Sequence, residues 1–345
     1  MKLQNIIFPS PETCTVEDMY MRRKGNAVFT WADSAVYMQG GSSVFFDTYF
    51  NSFSVGKWKK YTTVGKVYIA LKFSGKIRVT LIRKERVGNE VLNHYIKEEF
   101  VESNGEEKSL CFDDPYTSGI YSVDVFAMTD TVFYGGYYWT DLPKEEVDRV
   151  KIALDICTFR REHFVRKNLG LIQSRIFESD KYNEFRNNLE IFIIDNAQTL
   201  SKEDEDTDYI HIYPNRNVGG SGGFTRGLME IKKASETLGI THALLMDDDI
   251  VIEPETLFRT WTLLSLLKEE YKDAFVGGAM LRLDHQYVQV ECGAVWNGGE
   301  LIGRKCGLDL RGVEPCLYNE VEEAVDYSAW WYTALYSGSV VKTKI

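Results

Sequence analysis

Hydrophobic positions change their period once along this chain. Up to about residue 140 they alternate: VYIALKF (67–73), KIRVTLI (76–82) and YSVDVFA (121–127) place an apolar side chain at every second position. That is the period of a pleated strand with one face buried. Turn-forming clusters, Ser74-Gly75, Val87-Gly88-Asn89 and Ser103-Asn104-Gly105, separate the runs. This half is rich in Tyr, Phe and Thr, and helical spacing is hard to find in it. The pattern predicts an all-β sandwich of jelly-roll type. After Thr140-Asp141-Leu142-Pro143 and the polar segment KEEVDR, strands begin to alternate with helices. VKIALDICTF (150–159) is a continuous apolar run, as parallel strands buried on both faces are. Phe164, Leu169, Ile172 and Ile176 follow at near-helical spacing, over about 161–177. Strands EIFIIDN (190–196) and YIHIY (209–213) come next, then a helix over about 223–238 and the strand THALLMDDD ending at Asp249. Pro254 opens a further helix with Leu257, Trp261, Leu264 and Leu267 as its buried stripe. The expected fold is α/β with an N-terminal all-β domain: a β-sandwich over 1–140, then a mainly parallel sheet over 141–345 with helices on both faces.

A length of 345 residues suits two domains. Fifty-one Asp+Glu against 40 Lys+Arg leave a net charge of -11, which speaks against a role resting on broad contact with nucleic-acid phosphates. No apolar stretch approaches the ~20 residues that span a bilayer, and the opening MKLQNIIFPSPETC lacks a basic-then-apolar leader. The six cysteines (Cys14, Cys111, Cys157, Cys292, Cys306, Cys316) are scattered without CxxC pairing, which reads as reduced thiols of a cytoplasmic protein.

Chemistry concentrates at strand ends in the second half, where ligands of such sheets bind. Met246-Asp247-Asp248-Asp249-Ile250 closes an apolar strand, and three adjacent carboxylates need a counter-charge if they are desolvated. A hard cation such as Mg²⁺ or Mn²⁺ would supply it while sharing oxygen ligands with a phosphate. In extended chain Asp247 and Asp249 point the same way, so both could reach one ion. The run Asn217-Val218-Gly219-Gly220-Ser221-Gly222-Gly223-Phe224 lets the backbone approach a ligand closely, and the helix it leads into offers free N–H groups to an anion. It fits neither the P-loop nor the dinucleotide fingerprint. Cys157-Thr158-Phe159-Arg160-Arg161 brings a guanidinium to the end of the first strand, and Asp195-Asn196 ends the second. Each feature also has a plainer reading as a solvated acidic turn, a flexible glycine loop, a surface arginine pair or a turn opener.

Taken together, these motifs resemble the family-2 glycosyltransferases of the nucleotide-sugar-binding GT-A type, and more narrowly the galactofuranosyltransferases of cell-wall galactan and surface polysaccharide synthesis. Asn51-Ser52-Phe53 and Trp58-Lys59-Lys60-Tyr61-Thr62 look like that group's N-terminal sandwich domain, and Gly277-Gly278-Ala279-Met280 and Asp326-Tyr327-Ser328-Ala329-Trp330-Trp331 follow in its order. The resemblance implies an inverting transfer of galactofuranose from UDP-galactofuranose to a saccharide hydroxyl. It implies that Asp247 and Asp249 engage Mn²⁺ or Mg²⁺, and that Thr158, Arg161, Asp195, Gly219, Gly220, Asp247 and Asp248 hold the donor. Trp330 and Trp331 would form the acceptor platform. The partners it implies are the UDP-sugar and a saccharide or lipid-linked glycan, with no nucleic acid. A lipid-linked acceptor would draw the protein to the inner face of the cell membrane as a peripheral component, and oligomerisation stays open. The family's catalytic Asp/Glu–Asp pair and metal-binding His lie beyond the tryptophans, and the sequence reaches Ile345 without them. This reads as an amino-terminal portion of a longer enzyme or a shortened relative, one that would bind UDP and metal but transfer sugar poorly. Two alternatives remain: a related transferase with another nucleotide-sugar, and a carbohydrate-binding protein whose transferase half is inactive.

Overall fold

The computed structural model describes residues 1–321, 325–327 and 332–336. They form two compact units. Of these, the first comprises 1–147 together with 281–290 and 305–321; the second comprises 148–280, 291–304, 325–327 and 332–336.

The first unit is an antiparallel all-β assembly. Its strands are β1 (Lys2–Asn5), β2 (Arg22–Lys24), β3 (Ala27–Thr30), β4 (Ala35–Met38), β5 (Ser43–Phe45), β6 (Val67–Val87), β7 (Glu90–Phe112), β8 (Ile120–Ala127) and β9 (Thr131–Trp139). They run in the order β2-β5-β8-β6-β9-β4-β3, with β1 on β9 and β7 along β6. The long hairpin β6/β7 organises the unit. One edge of β6 is paired with β7, while its other edge meets β9 over Tyr68 to Ser74 and β8 over Ile77 to Lys84. The changeover falls at Gly75. There φ is +126°, and a Cβ would stand 2.5 Å from Thr131 Oγ1 and 2.8 Å from the Asp130 carbonyl. Only glycine lets the strand pass the β8–β9 turn this closely. The expected turns at Ser74-Gly75 and Ser103-Asn104-Gly105 are therefore not turns. They pair with each other across the hairpin, Ser74 with Asn104 and Gly75 with Ser103, at its bulge. Only Val87-Gly88-Asn89 reverses the chain. A short α-helix, α1 (Val55–Tyr61), lies between β5 and β6 and buries Val55 and Trp58.

In the second unit, parallel strands β10 (Ile152–Thr158), β11 (Leu189–Asp195), β12 (Ile210–Pro214) and β13 (His242–Asp247) lie in the order β12-β11-β10-β13. The sheet continues through strand Tyr332–Tyr336, antiparallel to β13, and strand Val276–Gly277. Helices α2 (Glu162–Ile172), α3 (Lys202–Glu205), α4 (Gly219–Leu238) and α5 (Pro254–Leu264) connect or follow the strands. Moving from β10 to β12 the chain travels one way; through α4 it reverses and returns to the far side of β10. Right-handed crossovers then place the connections on opposite faces. The reversal makes the gap between β10 and β13 a topological switch point, where sheets of this kind open a crevice beyond the strand ends.

Candidate functional site

Both strands flanking that gap end in polar residues. Thr158, the last residue of β10, is 2% exposed and donates from Oγ1 to Asp248 Oδ2 at 2.7 Å. Arg161, the residue before α2, reaches Asp248 Oδ1 at 3.4 Å and also pairs with Asp249 Oδ2. β13 stops at Asp247, so strand alternation does not extend across the trio. The turn that follows divides the three carboxylates: Asp248 points inward and is 6% exposed, Asp249 is exposed, and Asp247 is half-buried. The guanidinium is held firmly protonated by Asp249 and Asp248. Asp247 fares differently. Burial, reinforced by repulsion from Asp249 and Asp248 and opposed by Arg161, pushes its carboxyl up to about 6. Three carboxylates thus share one guanidinium, and Asp247 has the least of it.

That imbalance, together with an all-oxygen donor set, fits a hard divalent cation at Asp247 and Asp249. Among the described residues no three His, Cys, Asp or Glu side chains converge as a ready-made cage. The two aspartates would supply part of a coordination shell, with diphosphate and water oxygens completing it.

The glycine run differs from its expected form. α4 begins at Gly219, not Gly223, so the glycines are the first turn of the helix. Gly219 takes φ +77° and donates its N–H to Asn217 Oδ1 at 3.1 Å; nothing lies within 4 Å of where a Cβ would stand on Gly219 or Gly220, so a ligand can approach the chain closely there. Gly223 and Gly227 instead form the buried face of α4. A Cβ on them would stand 2.0 Å from Cys157 Sγ and 1.9 Å from Asp155 Oδ1, so the helix lies directly on β10. Asn196 ties this corner together, donating to the Gly219 carbonyl and to Cys157 Sγ, each at 3.3 Å, and accepting from Asn215 Nδ2 at 2.8 Å. Burial and nearby Asp155, Asp248 and Asp247 push the Cys157 thiol up to about 11, which makes it a packing group and not a nucleophile.

Asp195 is 1% exposed, and its carboxylate is already occupied by its own loop. Oδ1 accepts from Ala197 N at 2.9 Å, and Oδ2 from Thr199 N at 2.5 Å and Leu200 N at 2.8 Å. Its influence on a bound nucleotide would run through the shape of that loop. Trp330 and Trp331 lie outside the described residues. Sequence reasoning missed Asn168, a buried residue of α2 that donates to the backbone of the aspartate turn. Its place seven residues after Arg161, on the same helix face, was the available signal.

The family described as "Galactofuranosyltransferase 2 N-terminal" matches residues 3–154. Galactofuranosyltransferase GlfT2 of Mycolicibacterium smegmatis is 25% identical over 308 residues, 81% of this chain and 44% of that protein. GlfT2 of Mycobacterium tuberculosis is 25% identical over 365 residues, 95% of this chain and 53% of that protein. Among solved structures, the CBM22–GH10 modules of Clostridium thermocellum xylanase 10B cover 57% of this chain and 38% of that one at 10% identity and TM-score 0.27. A family 6 carbohydrate-binding module covers 35% of this chain and 87% of that one at 7% identity and TM-score 0.23. Scores this low assign no shared fold. The chain is galactofuranosyltransferase-like in sequence, and it spans about half the length of the curated relatives it matches.

Proposed function

We propose that this chain serves in glycosyl transfer, its α/β unit binding a nucleotide-sugar through a divalent metal. The donor would be UDP-galactofuranose and the acceptor a saccharide hydroxyl in cell-surface polysaccharide synthesis, with inversion at the anomeric carbon. The observation that carries the reading is the convergence of Thr158, Arg161, Asp248 and Asp249 at the switch point, with Asp247 beside them. A Mn²⁺ or Mg²⁺ ion bound there would neutralise charge on the departing diphosphate. Asp247 and Asp249 would hold the ion, and Arg161, by giving up part of its contact with Asp249, would turn to the diphosphate. Gly220, in the first turn of α4, would add a backbone hydrogen bond to the donor, and Gly219, with no side chain, would let the donor approach the chain closely. Thr158, too buried to touch a nucleotide, would act by fixing Asp248. No residue of this chain is assigned as the base that deprotonates the acceptor; Trp330 and Trp331 are proposed to carry the acceptor sugar. Among the described residues no helix is long and apolar enough to cross a membrane. Contact with a lipid-linked acceptor is proposed to be peripheral.

The test is calorimetry of UDP binding with and without Mn²⁺. Metal-dependent heat is expected from the full chain, and Asp249→Ala should weaken it at least tenfold, the order of effect expected for altering a metal site. UDP binding indifferent to Mn²⁺ and to that substitution would remove the metal assignment. No UDP heat at all, with glycan binding retained, would turn the reading toward a carbohydrate-binding protein. Product analysis by mass spectrometry, with UDP-galactofuranose against UDP-hexopyranoses, decides the donor.

A further inference from the structure

The side chain that fixes the backbone of the aspartate turn stands outside the turn. Asn168 lies on α2 and is 3% exposed; its Nδ2 donates to the Asp248 carbonyl at 3.1 Å and to the Ile250 carbonyl at 2.9 Å. Pairing between β10 and β13 ends at Asp247, so neither carbonyl is satisfied by that ladder. A primary amide carries two N–H donors on one nitrogen, which suits two carbonyls separated by one residue. Asp248 is therefore held at two points, its carboxylate by Thr158 of β10 and its carbonyl by Asn168 of α2. With its central residue pinned this way, the turn has little freedom to redirect Asp247 and Asp249. The same helix also brings the positive charge. Arg161 precedes its first residue, and a spacing of seven puts Arg161 and Asn168 on one face. α2 thus acts as a ruler between the guanidinium and the backbone whose carboxylates it meets.

We propose that Asn168 is a positioning residue for the donor site: it fixes the turn so that Asp247 and Asp249 are presented together to a divalent cation and the diphosphate it carries. The inference rests on the donor-site reading above. Its test uses the full chain, with Asn168→Ala and Asn168→Ser compared with wild type. Three quantities are read: the Mn²⁺ concentration that half-saturates UDP binding, hydrogen exchange of the amides at 247–251 in metal-free protein, and the thermal midpoint. Removing such an outer support typically costs roughly 10- to 100-fold in metal affinity. Asn168→Ala should raise the Mn²⁺ midpoint by that factor and speed exchange in the turn while leaving exchange in β12 unchanged. Asn168→Ser, which keeps one donor, should fall between, and it decides the matter if the alanine variant does not fold. A thermal midpoint that drops while Mn²⁺ affinity and turn exchange hold at wild-type values would overturn the proposal, because it marks a merely structural side chain. If wild-type UDP binding proves independent of Mn²⁺, the donor-site reading fails by itself. The exchange comparison then still decides whether Asn168 holds the turn, and unchanged exchange overturns that too.

Discussion

Asp247 and Asp248 are neighbours with opposite burdens. Asp248 is the more buried, yet it receives a hydroxyl and a guanidinium; Asp247 is half-buried and drifts upward in pKa. Burial alone does not decide the charge of a carboxylate; its donors do. Thr158→Val removes the hydroxyl at nearly constant volume and leaves a buried carboxylate oxygen short of a donor, which costs about 1–3 kcal/mol. Urea denaturation of the full chain should show that loss, with Thr158→Ser close to wild type; a valine variant of wild-type stability would mean Asp248 finds another partner. His242 tests the opposite ionisation. It is 6% exposed, and burial lowers its pKa from 6.5 to about 4, a nearby Asp148 only partly opposing this. The unfolded chain therefore binds this proton more readily than the folded one, so stability should rise with pH from about 4 to 6.5 and level off above. His242→Gln should flatten that limb in pH-resolved thermal melts, and an unchanged slope would mean another group carries it. The sequence displayed the aspartates and Arg161 as plainly as any motif can. It could not display which aspartate turns inward, because that depends on Thr158 lying ninety residues away in sequence and on a helix amide.

At the scale of elements, local signals were sound in kind and misplaced in use. Ser74-Gly75 and Ser103-Asn104-Gly105 have the composition of reversals because both demand unusual backbone, but their partner is each other across a bent hairpin. Composition records a need for conformational freedom and not whether the chain turns back or merely kinks. The glycine run behaves likewise. Its first members start α4, while Gly223 and Gly227 serve contact with β10. The parallel strands were legible because continuous apolar runs have few other uses; the helix-facing Asp155 within one of them was not. Asp155 is fully buried, neither carboxylate oxygen has a hydrogen-bond partner among the described residues, and burial holds its pKa well above the usual carboxylate range. Asp155 fills the space that Gly227 leaves. Gly227→Ala should then destabilise by about 1–3 kcal/mol through overpacking. Asp155→Ala should cost little at neutral pH, since it removes a buried group that lacks partners. The double variant should be more stable than the sum of the two changes, by the coupling expected of groups in contact. Urea midpoints of the four proteins close that cycle, and strict additivity would show that α4 and β10 do not meet through these two positions.

At the scale of the whole molecule, what sequence could not reveal is that the first unit is not a contiguous stretch. Periodicity changes near residue 140 and marks where strand-only chain gives way to strand and helix, but it carries no record of which later segments return to pack. Residues 281–290 and 305–321 return. Leu310 joins Ile7, Cys14, Met19 and Tyr20 in one buried cluster, with Leu281, Tyr287 and Leu308 against it. Polar contacts follow the same route: Gln286 Nε2 donates to the Thr13 carbonyl at 2.8 Å, and Arg22 Nη2 to the Arg311 carbonyl at 2.5 Å. Cutting the chain at the change of period would strip these from a fragment that keeps all nine of its strands. Re-exposing side chains of this size costs roughly 1.5–3 kcal/mol each, and a typical domain has only about 5–15 kcal/mol in hand. A fragment of residues 1–147 should therefore retain β-type circular dichroism yet melt well below the full chain's β unit, with broadened cooperativity and enhanced binding of a hydrophobic dye. Adding back the sequence 281–324 in the same chain should restore a sharp, dye-silent transition. A 1–147 fragment that already melts sharply without binding dye would show that Met19 and Tyr20 are covered by their own strands, and that Leu310 adds nothing to the fold it lies against.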